Sequence, residues 1–361
     1  MRSVSRFFVP LSAVTLTLAV LQPAWTAAQV SSRVQASASS TPNVSITQGS
    51  IDESRRLIQT GHPEQALQAL DKLAATSPSS PGLERTRGSA LYGLNRLREA
   101  EAAFGRALEM DPHDQEAAQM RGLTLYQLGR PAEAIPFLEQ FHGASAQVKA
   151  DPTYVLALCY MDTRRYDDAR RAFAAQYGVT TDSAASYLLT ARMLLRREYL
   201  PIAQTFAERG IALEPKLPLA HSLLGEIALA QNRTDDAIQD FRKELEIDPL
   251  EGSTYERLGD AYSRAGRYTE SQRVLQQAVL LQPNSTGPYI LLGKVTLKQG
   301  DAVGAVTFLQ RAESMDPGNF MTHNLLAQAY KALGRTADAA RELELTQKTQ
   351  AAQEPHLSTL K

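Results

Sequence analysis

The sequence holds little of what chemistry usually needs. Cys159 is the one cysteine in 361 residues, so no internal disulfide can form. It sits in Tyr154-Val-Leu-Ala-Leu-Cys-Tyr, on the apolar side of an expected helix. It reads there as a buried small hydrophobe, and no neighbouring base makes it a nucleophile. Neither sign of charge is in excess: 38 Lys and Arg stand against 39 Asp and Glu, a formal net charge of -1. That balance removes the basic surface that nucleic acid requires to neutralise its phosphates. The six histidines, His62, His113, His142, His221, His323 and His356, are scattered, and none forms a His-x-x-x-His metal spacing. His221 and His323 read as packing residues on helix faces. No Gly-rich phosphate loop, nucleophile elbow or HExxH is present. Asp235, Asp236, Glu244 and Glu246 fall on expected polar helix faces, where carboxylates are solvated. No catalytic residue, cofactor or metal is therefore expected.

Long apolar runs are scarce too. Arg2 and Arg6 precede an apolar run from Phe7 to about Leu21, followed by Pro23, Ala24 and Thr26-Ala27-Ala28. That order of charged, apolar and small residues is the pattern of a secretory signal peptide over 1–28, cut after Ala28. The run is shorter than the ~20 residues that span a bilayer, and Pro10 interrupts it. An uncleaved membrane anchor is the alternative. No cysteine follows the run, so a lipoprotein anchor has no thiol to acylate. Residues 29–46 are rich in Ser, Ala, Gln, Thr and Val and read as a flexible tether. The expected location is outside the cytoplasm, periplasmic or secreted, in a bacterium.

What the sequence has in abundance is periodicity. Its residues are 43% hydrophobic and 21% charged, enough to bury a core. Ala66, Ala100, Ala134, Ala169, Ala203, Ala237, Ser271, Ala305 and Ala339 stand 34 residues apart, save one step of 35. Twelve residues ahead of each runs a second small series: Ser54, Gly88, Gly122, Ala157, Ala191, Gly225, Gly259, Gly293 and Ala327. Pro78, Pro112, Pro215, Pro249, Pro283 and Pro317 close most units. Two antiparallel helices of about four turns with two short turns take ~34 residues. Small residues let the two helices approach where they cross. Gly61, Gly129, Gly266, Gly300 and Gly334 suit the turn between them. A large apolar residue follows the second small one by one helical turn, at Leu70, Phe104, Leu138, Phe173, Phe241, Leu275, Leu309 and Leu343. The prolines stop the second helix, and Asp114, Ser285 and Asn319 are set to cap the next.

These residues resemble the tetratricopeptide-repeat family. The unit at 252–285 shows it best, with Tyr255, Leu258, Gly259, Tyr262, Gly266, Ala278 and Pro283 on the signature positions and Ser271 in place of the usual Ala. The expected units are 47–80, 81–114, 115–149, 150–183, 184–217, 218–251, 252–285, 286–319 and 320–352, with a tail at 353–361. Ser50 and Glu53 stand at usually bulky places in the first unit, which reads as a cap or a fraying helix. Gly143-Ala-Ser-Ala and Gln176-Tyr177-Gly178 break the register, either as a bend or as tolerated loops. Arg341, Glu342, Glu344, Gln347 and Lys348 give the last helix a polar outer face suited to a terminal cap.

The resemblance implies an all-α solenoid, a right-handed superhelix of stacked helix pairs whose first helices line an inner groove. Its groove positions carry Tyr92, Leu123, Tyr126, Tyr154, Leu158, Met161, Leu188 and Leu195 with Arg192 and Arg196 in the first half. The second half carries Glu256, Asp260, Arg264, Lys294, Lys298, Asn324, Gln328 and Lys331. The family's carboxylate clamp is not matched, although Lys294, Asn324, Gln328 and Lys331 have its chemistry. The implied function is a non-catalytic scaffold holding a protein or peptide, with no nucleic-acid or small-molecule substrate. A holdase-like chaperone for exported chains is the alternative. An enzyme with a site built in the groove and a self-polymerising array are the remaining ones.

Overall fold

Small and apolar residues recur with a helical period in every unit, and the chain folds as that pattern dictates. The structure is a computed structural model that describes residues 42–80, 82–140 and 151–358. The signal-like run, the first part of the expected tether and the loop at Gly143 lie outside the described residues. Those described form eighteen helices and no strand. The first units comprise α1 (Pro42–Gln59) with α2 (Pro63–Thr76), α3 (Leu83–Gly93) with α4 (Leu97–Met110), and α5 (Gln115–Gln127) with α6 (Pro131–Gln140). Next come α7 (Pro152–Asp162) with α8 (Tyr166–Gln176), α9 (Ala184–Arg196) with α10 (Leu200–Leu213), and α11 (Ala220–Ala230) with α12 (Thr234–Ile247). The last are α13 (Gly252–Arg264) with α14 (Tyr268–Leu281), α15 (Thr286–Lys298) with α16 (Ala302–Met315), and α17 (Phe320–Ala332) with α18 (Thr336–Ser358). The chain is an α-solenoid, as expected. Both ends of the helical region run beyond the sequence reading. Pro42, suited to a first helical turn, opens α1 inside the expected tether, and α18 continues through most of the expected tail.

Within a unit, the small residue of the first helix receives the large apolar side chain of the second. Leu70, Phe104, Leu138, Phe173, Phe241, Leu275 and Leu309 are all buried. A Cβ added at Gly225 would stand 2.6 Å from the Phe241 ring, and one at Gly122 would stand 2.7 Å from Leu138. The glycines are therefore required by close approach, not by backbone conformation. Ser271, the odd member of the alanine series, donates its hydroxyl to the Gly259 carbonyl at 2.7 Å. Leu343 departs from its series: it is 51% exposed, since no further described helix packs on the outer flank of α18. Of the polar outer face expected on α18, Arg341, Glu344, Gln347 and Lys348 are exposed, whereas Glu342 is buried at 2% exposure.

The turn inside each unit has one left-handed residue at a fixed place. Gly61, Gly129, Gly266, Gly300 and Gly334 hold it with φ between +73° and +89°. In the units that lack glycine, Asn95, Arg164, Glu198 and Asn232 adopt it at φ 57–63°. Asn tolerates that conformation through its short polar side chain; Arg and Glu do not, and carry the steric cost. The second helices stop just short of the prolines: α12 ends at Ile247, with Asp248 as its C-cap before Pro249.

Caps divide the first helices into two kinds. Asp114 accepts from the Ala117 N–H at 3.0 Å, and Asn319 accepts from Met321 and Thr322 at 3.1 and 3.2 Å. Ser285 makes no side-chain cap bond, contrary to expectation. The N-terminus of α11 begins at Leu219, which sits at φ +67° and cannot cap. Glu244 of α12 serves instead, accepting the Leu219 and Ser222 N–H groups at 2.6 and 3.1 Å. Glu244 is thus fully buried rather than solvated as its sequence context suggested. Buried apolar residues form one cluster from Ile51 to Ile227 and three smaller ones beyond it.

The irregular junction at 176–183 is fastened from within. Arg170, 5% exposed, donates to the Thr181 carbonyl, to Asp182 at 3.1 Å and to Ser186 at 3.3 Å. Its guanidinium also lies 4.4 Å from the centroid of the Tyr187 ring.

Two outcomes follow from this packing. Gly225→Ala forces its methyl into the Phe241 ring and is expected to cost about 1–3 kcal/mol, read as an earlier midpoint in urea unfolding. Glu198→Gly relieves left-handed strain and is expected to stabilise by about 0.5–1 kcal/mol, read as a later midpoint in the same assay.

Candidate partner-binding face

First helices of successive units touch one another: α3 with α5, α5 with α7, α9 with α11, α11 with α13, α13 with α15 and α15 with α17. Among the described residues, second helices of successive units make no comparable contact. The stack is therefore tighter on its first-helix side, which places the outward side chains of those helices beside one another on one face. Tyr92, Tyr126, Tyr154, Arg192, Glu256, Asp260, Lys294 and Asn324 are partly exposed there, and Arg264, Gln328 and Lys331 are exposed. Leu123 and Met161 are corrections. They are 2% and 0% exposed and pack in the core, because their places in α5 and α7 turn toward neighbouring helices.

The aromatic part of this face is cross-tied between units. The Tyr92 hydroxyl accepts from Gln127 Nε2 at 2.6 Å, which links α3 to α5. The Tyr126 hydroxyl accepts from Arg197 Nη1 at 3.2 Å, and Arg197 also binds Asp162 at the end of α7. Tyr199 donates to the same carboxylate at 3.4 Å. Burial raises the Tyr92 and Tyr126 phenols above the usual tyrosine range, against the lowering effect of Gln127 and Arg197. Both remain neutral hydrogen-bonding groups with half-buried rings.

The charged part follows the same plan. Glu226 of α11 stands 3.7 Å from Arg192 of α9 and 3.1 Å from Arg257 of α13. Asp260 of α13 stands 2.7 Å from Arg264 and 3.8 Å from Lys294 of α15. Glu256 is held above the usual carboxylate range, first by burial; Arg257 opposes this and Asp260 adds to it. Asn324 accepts from Gln328 at 2.8 Å. The charges of one unit are thus neutralised by the next, and no single sign of charge runs along the face.

Sequence reasoning missed Asp162, Arg197, Glu226 and Arg257, which organise this face by joining adjacent units. Their signal is faint: pairs about one repeat apart, such as Asp162 with Arg197, where the two helix ends are stacked. Cys159 lies fully buried beneath the same region, and burial with the Asp162 charge pushes its thiol up to about 12, away from reactivity.

Several family models match parts of the chain. One described as anaphase-promoting complex, cyclosome, subunit 3 matches residues 93–176. Among curated relatives, superkiller complex protein 3 of Mus musculus is 23% identical over 68% of this chain and 16% of its own length. Anaphase-promoting complex subunit cut9 of Schizosaccharomyces pombe is 21% identical over 76% of this chain and 47% of its own length. Cellulose synthase operon protein C of Xanthomonas axonopodis pv. citri is 26% identical over 74% of this chain and 16% of its own length. The chain therefore spans less than half the length of each. Of solved structures, MamA from Desulfovibrio magneticus RS-1 is 20% identical, covers 48% of this chain and 97% of its own, and gives a TM-score of 0.45. Tetratricopeptide-repeat models match residues 54–121, 200–251, 256–320 and 296–361, together more than half of the chain, and the chain belongs to that family.

Proposed function

We propose that this chain is a non-catalytic scaffold that holds a protein or peptide partner along its first-helix face, in the cell envelope or outside the cell. The observation that carries the reading is the row of partly exposed tyrosines and charges on touching first helices, presented outward by a chain whose described residues are all used in repeats. Aromatic rings already immobilised by Gln127 and Arg197 lose little side-chain entropy when a partner covers them, which favours binding. The alternation of Arg192, Glu226, Arg257, Asp260 and Lys294 favours a partner of mixed charge over a polyanion.

The extracytoplasmic setting rests on the Arg2, Arg6 and Phe7–Leu21 pattern. No helix among the described residues is long and apolar enough to cross a membrane. Relatives named for a cellulose synthase operon accord with an assembly role in the envelope.

The test is in-cell crosslinking with mass spectrometry to identify the partner, followed by binding to variants. Tyr126→Ala and Lys294→Glu are each expected to weaken capture by about tenfold or more, while Arg242→Ala on the exposed face of α12 leaves it unchanged. Undiminished capture by both groove variants, with helical content intact, overturns the assignment of the face.

A further inference from the structure

The fourth place of a unit is tyrosine in three units, at Tyr187, Tyr255 and Tyr289. Tyr187 packs on Phe206 of the second helix, with 5.8 Å between ring centroids. Two units exchange this apolar pair for an ionisable one. His221 faces Asp240 at 3.6 Å, and His323 faces Glu342 at 2.8 Å. Replacing well-packed apolar residues with a buried ionisable pair costs stability unless the groups are fully partnered or hold an ion.

The two sites differ in their acid, Asp240 against Glu342, and in a third residue nearby. Glu313 of α16 comes within 3.9 Å of His323 Nδ1. The residue at the same repeat position beside His221 is Ile211, which offers no donor. Glu313, His323 and Glu342 thus bring three potential ligand atoms within 4.8 Å of one another, from three successive helices. His323 is buried as a packing residue is expected to be, and it also pairs with Glu342.

The histidine is oriented from outside this cluster. Its Nε2 lies 2.9 Å from the Pro317 carbonyl, which can only accept, so Nε2 carries hydrogen and Nδ1 faces the two carboxylates. A backbone carbonyl on the far nitrogen of a ligating imidazole is the usual outer support of a metal-bound histidine. The His323 and Glu342 side chains are 3% exposed, whereas Glu313 is 34% exposed and opens the site to solvent.

We propose that Glu313, His323 and Glu342 bind one divalent transition-metal ion of the zinc class. Bonds of about 2.0–2.2 Å in a tetrahedral site separate ligand atoms by roughly 3.3–3.5 Å. The 2.8 and 3.9 Å separations from His323 Nδ1 bracket that spacing. Three protein donors leave the fourth position to water. An imidazole with two carboxylates suits zinc and its neighbours over calcium or magnesium, which prefer oxygen throughout. Arg341 lies 3.4 Å from Glu342 Oε1, the outer oxygen, and leaves Oε2 to the ion. A proton shared by His323 and Glu342 is the occupant that the ion displaces. The bound ion ties α16 to the α17–α18 hairpin and so stabilises the last unit.

The experiment titrates zinc chloride into the metal-stripped full chain in a non-chelating buffer, followed by calorimetry and by thermal unfolding. One equivalent is expected to bind and to raise the midpoint. Glu313→Gln, a change at the exposed member that leaves the core intact, and His323→Gln should each weaken binding by at least about tenfold. His221→Gln should bind as the unaltered chain does. The proposal is overturned if the unaltered chain shows no saturable binding, if both site variants retain it, or if His221→Gln loses it equally.

Discussion

The distance between the two helices of a unit is fixed by a small residue facing a large one, and the rest of the molecule depends on that contact. Where Phe241 lies over Gly225 or Leu138 over Gly122, no room remains for a methyl group. This contact sets the helix separation, and each unit then presents the same flank to the next. The repetition is therefore physical before it is architectural. A hairpin of this size cannot bury its own apolar stripe, and its identical neighbour covers what it leaves open. Leu343 shows the consequence: the same place in the series is exposed when no described helix follows.

The stack is not purely apolar, and its polar groups act between elements rather than within them. Glu244 reaches from α12 to cap α11 because Leu219, in a left-handed conformation, leaves those N–H groups without a local acceptor. Arg170 holds the irregular 176–183 junction through carbonyl, carboxylate and ring contacts. On the first-helix face, Arg197 joins Tyr126 to Asp162, and Glu226 stands between Arg192 and Arg257. The links at Arg170 and on the first-helix face couple one unit to the next, so the exposed face is held as a continuous surface. On the proposed reading, that preorganisation suits the face to a partner chain, since little of its geometry must be ordered on binding.

The repeat slot occupied by Tyr187 shows how a solenoid can acquire chemistry without changing its fold. Backbone and register are common to all units, so exchanging two side chains at that slot alters polarity alone. At His221 the exchange yields a pair; at His323 a third donor, Glu313, arrives from the preceding helix. The two slots differ in the acid, Asp240 against Glu342, and in the residue at the position of Ile211 and Glu313.

The fold was legible in the sequence because its determinants are local and repeated. Small residues at a fixed interval, glycines at the turns and prolines past the second helices each encode short-range geometry, and nine copies removed the ambiguity of any one. The turn slot was legible even where glycine is missing, since Asn95 and Glu198 stand in register with Gly61 and Gly129. Part of the candidate face was legible in the same way, at Tyr126, Asp260 and Lys294. What the tertiary structure alone decided is which side of each helix its neighbours cover. It buried Leu123 and Met161, sank Glu244 beneath α11 and brought Glu313 to His323. Those outcomes depend on the packing of helices from different units, and helical periodicity within one segment carries no information about the surface that another segment presents to it.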